Sequence, residues 1–365
     1  MPELKKIVVQ NFRNIELQEL EFSPNVNCIS GGNGEGKTNL LDAIWYLSMA
    51  KSAFSASDQF NFRYGQESFA LSGLYSMPGG PDTRISVQVD GGGKRIRRDD
   101  KPYARLGAHI GLLPVVMVSP SDAAMVSESG DERRKFANAV LSQMSAGYLD
   151  AVQHYGRLLL QRNRLLKDSA PDWGLIEVMD AQMGSFAAVV FERRKALAAD
   201  LDPVVQEFYG SISGGAERIA IEYRSDLQKG PLEDIFAARR EKDSIFSYTT
   251  AGVQRDDFLF TMNGRPIRKC GSQGQQKSFL VALKFAQYEL MKRNYGFAPM
   301  LLLDDLFDKL DMNRVQNLLQ MVAGTDFGQI FLSDTDKGRI SRIVDTLTTD
   351  RSYYEAKGGV FTRNE

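Results

Sequence analysis

The sequence predicts an α/β fold: a mixed parallel and antiparallel sheet joined to a mainly helical second lobe that carries a short helical arm. Three observations predict it. A glycine-rich segment, Gly31-Gly32-Asn33-Gly34-Glu35-Gly36-Lys37-Thr38, lies between a short apolar run and a helical one. A second apolar run, Met300-Leu301-Leu302-Leu303, stops at Asp304-Asp305. From Asp131 onward the apolar spacing becomes helical.

Taken in order, residues 4–9 and then Val26–Ser30 start the sheet. Segments 69–75 and 83–89 read as antiparallel strands. Gly91-Gly92-Gly93 reads as a hairpin tip, because it leads into the strand-like Lys94-Arg95-Ile96-Arg97-Arg98 and not into a helix. Residues 112–119 supply a further core strand. Tyr148, Val152, Tyr155, Leu159 and Leu166 then share one helical face, and Met179, Met183, Phe186, Val190 and Leu197 another. Two helices of about 20 residues each would extend only about 30 Å, which makes the arm short. Segments 257–262 and 265–269 flank Asn263-Gly264, the strongest hairpin signal in the chain, and would present the loop at 270–278 directly after the second strand. Residues 328–336 form a last buried strand with a polar end. The expected lobes are 1–125, 126–295 and, returning to the first, 296–365.

The glycine-rich segment fits the G-x-x-x-x-G-K-[ST] phosphate loop at every position, between a strand (26–30) and a helix (39–47). Glycines at 31, 32, 34 and 36 let successive N–H groups turn inward toward phosphates, and the helix N-terminus adds positive partial charge there. Lys37 is expected to reach the β- and γ-phosphates of a nucleoside triphosphate and Thr38 to ligate Mg²⁺. Asp304 is the candidate second ligand for Mg²⁺. Asp305 either orients an attacking water or caps the helix that follows.

A third segment, Cys270-Gly271-Ser272-Gln273-Gly274-Gln275-Gln276-Lys277-Ser278, opens onto an amphipathic helix marked by Phe279, Leu283, Ala286 and Leu290. One nucleotide has no use for a second anion-binding helix start, unless that start serves a nucleotide held by another subunit. The order phosphate loop, Ser-x-Gly-Gln, Asp-rich strand and Asp308-Lys309-Leu310-Asp311 resembles an ABC-type ATPase head of the kind found in SMC-like chromosome proteins. Asn11-Phe12-Arg13-Asn14, Lys37-Thr38-Asn39, Ser119-Pro120-Ser121-Asp122, Gln161-Arg162-Asn163, Arg255-Asp256-Asp257 and Gly271 to Gln276 narrow the resemblance to the bacterial RecF family. Two departures stand out: Gly252-Val253-Gln254 replaces the Gly-Pro-His usual in that family, and Lys277 replaces an Arg.

The resemblance implies ATP and Mg²⁺ as ligands and an ATP-dependent homodimer in which each nucleotide is shared between the phosphate loop of one subunit and Ser272, Gly274 and Gln275 of the other. It implies slow, dimer-dependent hydrolysis acting as a switch. Asn39 adjoins the loop, and Arg13 touches nucleotide or DNA on resemblance alone. It further implies single- and double-stranded DNA as a partner with little sequence preference, and cooperation with RecO and RecR in loading RecA at gapped DNA. ABC heads often carry a γ-phosphate-sensing histidine after the last strand; here Ser333 or Thr335 does that work, or nothing does.

A net charge of −1 excludes a uniformly basic surface. The basic residues are nonetheless clustered: Lys94-Arg95 with Arg97-Arg98, Arg133-Arg134-Lys135, Arg162 with Arg164 and Lys167, Arg193-Arg194-Lys195, and Arg239-Arg240. Each reads alone as a solvated face, or several line one DNA groove in a closed dimer. Two cysteines, Cys28 and Cys270, and two histidines exclude a zinc cluster within one chain and a disulfide framework, and both cysteines read as packing residues. No segment reads as a membrane span or secretory leader, so a cytoplasmic protein is expected. Two rival readings, a transporter's nucleotide-binding subunit and a small-molecule kinase, lack respectively the coupling histidine and a use for the Ser-x-Gly-Gln segment.

Overall fold

Five consecutive buried residues make β3 (Val26–Ser30) a strand covered on both faces, as in the middle of a parallel sheet. In the computed structural model it lies at the centre of a six-stranded sheet of order β15-β14-β3-β13-β12-β8, with β8 Val115–Val118, β12 Met300–Leu303, β13 Ile330–Asp334, β14 Arg351–Lys357 and β15 Val360–Asn364. All neighbours are parallel except β14–β15. The described residues are 1–215, 217–305 and 328–364, so Asp308-Lys309-Leu310-Asp311 lies outside them.

β1 (Glu3–Phe12) buries Leu4, Ile7, Val9 and Phe12 and leaves the residues between them accessible, as in a strand with one covered face and an irregularity between Leu4 and Lys6. It joins a different sheet, antiparallel throughout, of order β2-β1-β4-β5-β6-β7. Its other strands are β2 (Ile15–Glu21), β4 (Phe69–Ser76), β5 (Thr83–Asp90), β6 (Gly93–Arg98) and β7 (Lys101–Pro102). Residues 4–9 and 26–30 therefore start two sheets, not one. Helix α1 (Lys37–Met49) contacts strands of both. Phe12, Tyr46 and Phe69 lock α1 onto the antiparallel sheet edge to face, with centroids 5.1 to 6.2 Å apart.

These elements belong to one compact unit, Met1–Asp122 with Lys277–Glu365, and Ala123–Gln276 forms a second. The return to the first unit falls inside α8 (Gln273–Tyr295), whereas the expected boundary lay at its end. The second unit holds α2 (Ala124–Ser127), α3 (Gly130–Met144), α4 (Ala146–Leu165), α5 (Trp173–Ser213), α6 (Leu232–Phe246) and α7 (Ile267–Cys270). A small sheet, β11-β10-β9, completes it, with β9 Ile219–Arg224, β10 Asp257–Met262 and β11 Arg265–Pro266.

Helix α4 has the expected 20 residues, but α5 has 41 and spans about 60 Å at 1.5 Å per residue. It runs through Pro203, where the missing N–H leaves only the carbonyl of exposed Ala199 without a partner in the ladder. By length and composition α5 is also apolar enough to cross a membrane, contrary to the expectation that no segment is. Its buried face packs on α4, α6 and β9.

Three arginines assigned to surface clusters are core residues of the second unit. Arg162, 1 % exposed, bonds Asp180 and Asp243 at 2.7 Å each and lies 4.2 Å over the Phe236 ring. Arg194 bonds Asp256, the Val253 carbonyl, Tyr148 and Asn138. Arg133 makes a two-pronged pair with Asp257. These clusters cannot line a groove as whole units. After Asn263 and Gly264, both at positive φ, β11 lasts only two residues and α7 intervenes before the Ser-x-Gly-Gln loop. Pro266 has no N–H to extend the ladder. Cys28 is buried, while Cys270 is exposed and not a packing residue.

Candidate nucleotide-binding site

The phosphate loop leaves β3 at Gly31 and enters α1 at Lys37, with Gly31, Gly34 and Gly36 at φ 156°, 82° and 110°. Two of these glycines are also sterically required. A Cβ on Gly31 would strike the Ala356 carbonyl oxygen of β14, and one on Gly36 would come within 2.9 Å of the Asn14 side chain. Gly32, Asn33 and Gly34 form the exposed crest. Glu35 ties the loop down: its carbonyl accepts from Gly359 N–H at 2.9 Å and its carboxylate from Gly358 N–H. On the other side Asn14 donates to the Gly34 carbonyl at 3.4 Å and accepts from Asn39 at 2.7 Å. The β14–β15 hairpin and the β1–β2 turn thus hold the loop between them.

Lys37 is 4 % exposed, and its ammonium donates to the carbonyls of Gly31 and Gly32 at 2.8 and 3.0 Å. The Thr38 hydroxyl donates to both carboxylate oxygens of Asp304, at 3.1 and 2.9 Å. The register that pairs Leu303 with Leu332 explains a third partner, since it brings the end of β13 beside Asp304. Ser333, fully buried, donates to Asp304 Oδ1 at 2.6 Å and accepts from the Asp305 N–H at 3.1 Å. Burial pushes the Asp304 carboxyl above its usual range, the Ser333 and Thr38 hydroxyls oppose the shift, and the neighbouring Asp305 charge adds to it. Asp305 has φ 44°, outside the range a non-glycine residue normally adopts. The residues that follow it lie outside the described chain.

Arg13 stands at positive φ in the β1–β2 turn. Its guanidinium bonds Asp42 at 2.7 Å, Asn39 at 3.1 Å, Ser52 at 3.0 Å and Asn61 at 3.3 Å. Asp42 is wholly buried on α1, where burial raises its carboxyl and the Arg13 charge opposes that. Arg13 therefore fixes the helix behind the loop through groups that residue types alone did not single out. Thr335 bonds Asp334.

In the second unit Ser272 is the N-cap of α8. The Gln275 N–H donates to the Ser272 hydroxyl at 3.3 Å, and the Ser272 N–H donates to the Gln275 amide oxygen at 2.8 Å, a reciprocal cap. Gln275 also donates to Glu217 at 2.7 Å, and Gln276 to the Gly271 carbonyl at 2.8 Å. Gly274 differs from Gly31 and Gly36: a Cβ there would meet nothing closer than 4.0 Å among the described residues. Among the described residues, none requires glycine at that position by close contact.

Residues 6–136 match the family described as AAA domain. The DNA replication and repair protein RecF of Parabacteroides distasonis is 41 % identical over 356 residues, covering 98 % of each chain. That of Bacteroides fragilis is 40 % identical over 364 residues, covering 99 % of this chain and 98 % of its own. Among solved structures, the recombination mediator protein RecF with ATP, of the RecFOR pathway, superposes with TM-score 0.89 at 28 % identity over 100 % of this chain and 98 % of that one. The Smc head domain of Pyrococcus furiosus gives TM-score 0.58 at 14 % identity over 100 % of this chain and 96 % of that one, a likeness of fold alone.

Proposed function

The chain belongs to the RecF family and has the α/β fold of an ABC-type ATPase head; from that premise we propose that it is an ATP-dependent DNA-binding protein of replication and recombinational repair. ATP bridges two copies, and DNA is held by the closed pair. The observation that carries this reading is the contrast between two kinds of glycine. Gly31 and Gly36 are required by close contacts inside the chain, whereas the described residues leave space at Gly274, as at a backbone reserved for a ligand from outside.

The donors present suit the ligands. Hydroxyl and carboxylate oxygens, Thr38 and Asp304, match the hard-oxygen preference of Mg²⁺, which usually takes one or two protein ligands and completes its shell with water and substrate phosphates. Bound there, Mg²⁺ would offset the charge of the β- and γ-phosphates. Lys37 supplies a cation to the phosphates, with its stem already held along the loop. Ser333 keeps the Asp304 carboxylate turned toward Thr38. Asp305, its backbone fixed by the same serine, is the group placed to orient the attacking water. Asp reaches less far than Glu, which favours slow turnover and a long-lived dimer. Cooperation with RecO and RecR in loading RecA at gapped DNA is part of this proposal and rests on family membership.

Sedimentation of the protein with ATP, with and without gapped DNA, tests it. Dimer is expected only with ATP, and DNA only in the dimer fraction. A Lys37→Arg protein that still dimerised and hydrolysed ATP as the parent does would overturn the role given to Lys37.

A further inference from the structure

The outer face of the antiparallel sheet carries a second candidate site, distinct from the nucleotide loop. The register places Val8 and Gln10 of β1, Ala70 and Ser72 of β4, Ser86 and Gln88 of β5, and Arg95 and Arg97 of β6 on one face. Alternate residues of β4 and β5 are buried beneath it. Small side chains keep its floor low, and a depression of about 320 Å³ lies there, bounded by Arg95 and Arg97. A second, of about 460 Å³, shares those two arginines and continues along β6 toward Tyr103. Arg84 projects from the same face one step further along β5.

Charge divides this face. Arg84 and Arg97 are exposed and have no ion-pair partner among the described residues, while Arg95 pairs with Asp90. At the opposite edge β2 presents Glu19 and Glu21, which Lys6 only partly offsets. Basic clusters elsewhere give up members to structural pairs: Arg162 and Arg194 to buried carboxylates, Arg133 to the part-buried Asp257, and Arg240 to Glu177 and the Trp173 ring.

Building on the DNA-binding reading above, we propose that the β5–β6 side of this face is a track for the phosphodiester backbone of DNA. Two residues along a strand advance about 7 Å, and diagonal neighbours across a strand pair are also about 7–8 Å apart. Arg84, Arg97 and Arg95 thus cover about 14 Å, the axial length of about four phosphates of one strand. Ser72, Ser86, Gln88 and Gln10 add the hydroxyl and amide donors that phosphate oxygens accept. The described residues of this face supply phosphate donors and no helix or ribbon that would enter a groove, so the contact is independent of sequence. Glu19 and Glu21 repel the polyanion from the β2 edge and confine it to the other.

The test is the double variant Arg84→Glu/Arg97→Glu, with Arg84→Lys/Arg97→Lys as the charge-preserving companion. DNA affinity is measured with a nonhydrolysable ATP analogue between about 50 and 200 mM salt. Each phosphate contact contributes about 0.9 to the slope of log affinity against log salt. Losing two lowers the slope by about 1.8, so the reversed variant loses about twelvefold less affinity than the parent across that range. The lysine variant keeps the parental slope, and nucleotide affinity and ATP-dependent dimer formation are unchanged in both. A parental slope in the reversed variant overturns this surface while leaving the DNA-binding reading standing. If the parent protein itself retains no DNA with any nucleotide, that reading falls and takes the surface with it.

Discussion

Replacing Ser333 by alanine removes one hydroxyl that does two things. It takes a 2.6 Å donor from the buried Asp304 carboxylate and removes a 3.1 Å acceptor of the Asp305 N–H. A hydrogen bond to a charged group contributes about 1.5–3 kcal/mol. Asp304 is 3 % exposed and Ser333 0 %, so water offsets little of this, and the expected loss is about 2 kcal/mol. The chain has two tryptophans, Trp45 on α1 and Trp173 on α5. In a Trp173→Phe background, urea unfolding followed by Trp45 fluorescence reports the first unit alone. Because the effect runs partly through Asp304, the same change in an Asp304→Asn background should cost less, by about 1–2 kcal/mol of coupling. A loss below about 1 kcal/mol, or equal losses in both backgrounds, would refute the claim that Ser333 positions this carboxylate.

Two further outcomes are expected. Arg162→Met leaves Asp180 and Asp243 buried together without their cation and should destabilise the second unit by about 3–5 kcal/mol; Arg164→Ala, at an exposed position nearby, should stay within about 0.5 kcal/mol, both read from Trp173 fluorescence in urea. His109 is fully buried between the Leu47 carbonyl and the Tyr103 hydroxyl, and burial lowers its pKa, with the Arg98 charge acting in the same direction. The folded state then binds this proton less readily than the unfolded chain does. The stability contributed is complete above the unfolded value of about 6.5 and is lost as pH falls from there through the lowered folded value. Unfolding free energies at a series of pH values should show that decline in the parent and a flatter profile in His109→Gln.

The parts legible in the sequence are those whose physics is local. The phosphate loop needs its glycines in order, the Asn263-Gly264 turn needs two positive φ values, and β12 is a run too short for a helix. Environment was less legible. Arg162 and Arg194 look like any surface arginine until the antiparallel pairing of α4 with α5 brings Asp180, and the loop before β10 brings Asp256, against them. The apolar face read from spacing runs only from Met179 to Leu197, whereas α5 continues through Pro203, which ordinarily ends a helix but here frees a carbonyl on the solvent side. Ser333 could be placed at the end of an apolar strand, but not beside Asp304, because strand order within a parallel sheet is a tertiary fact. The split of the first strands between two sheets was not legible, because β1 carries the unbroken apolar run Ile7-Val8-Val9 and β3 is interrupted by Asn27, so residue types do not report which strand is covered on both faces.

The clasp on the phosphate loop has a consequence for how the protein comes into being. Glu35 is held by Gly358 and Gly359, and β3 is flanked by β13 and β14, partners made some 300 residues later. During synthesis the glycine-rich loop leaves the ribosome with only the Asn14 side of its clasp, and the other side is missing until residues near 359 have followed. A nascent chain therefore carries the nucleotide motif without the nucleotide site, and capacity to bind arrives late and all at once. Contacts of such long sequence separation fold slowly, so translation and nucleotide capture are separated in time by the architecture itself.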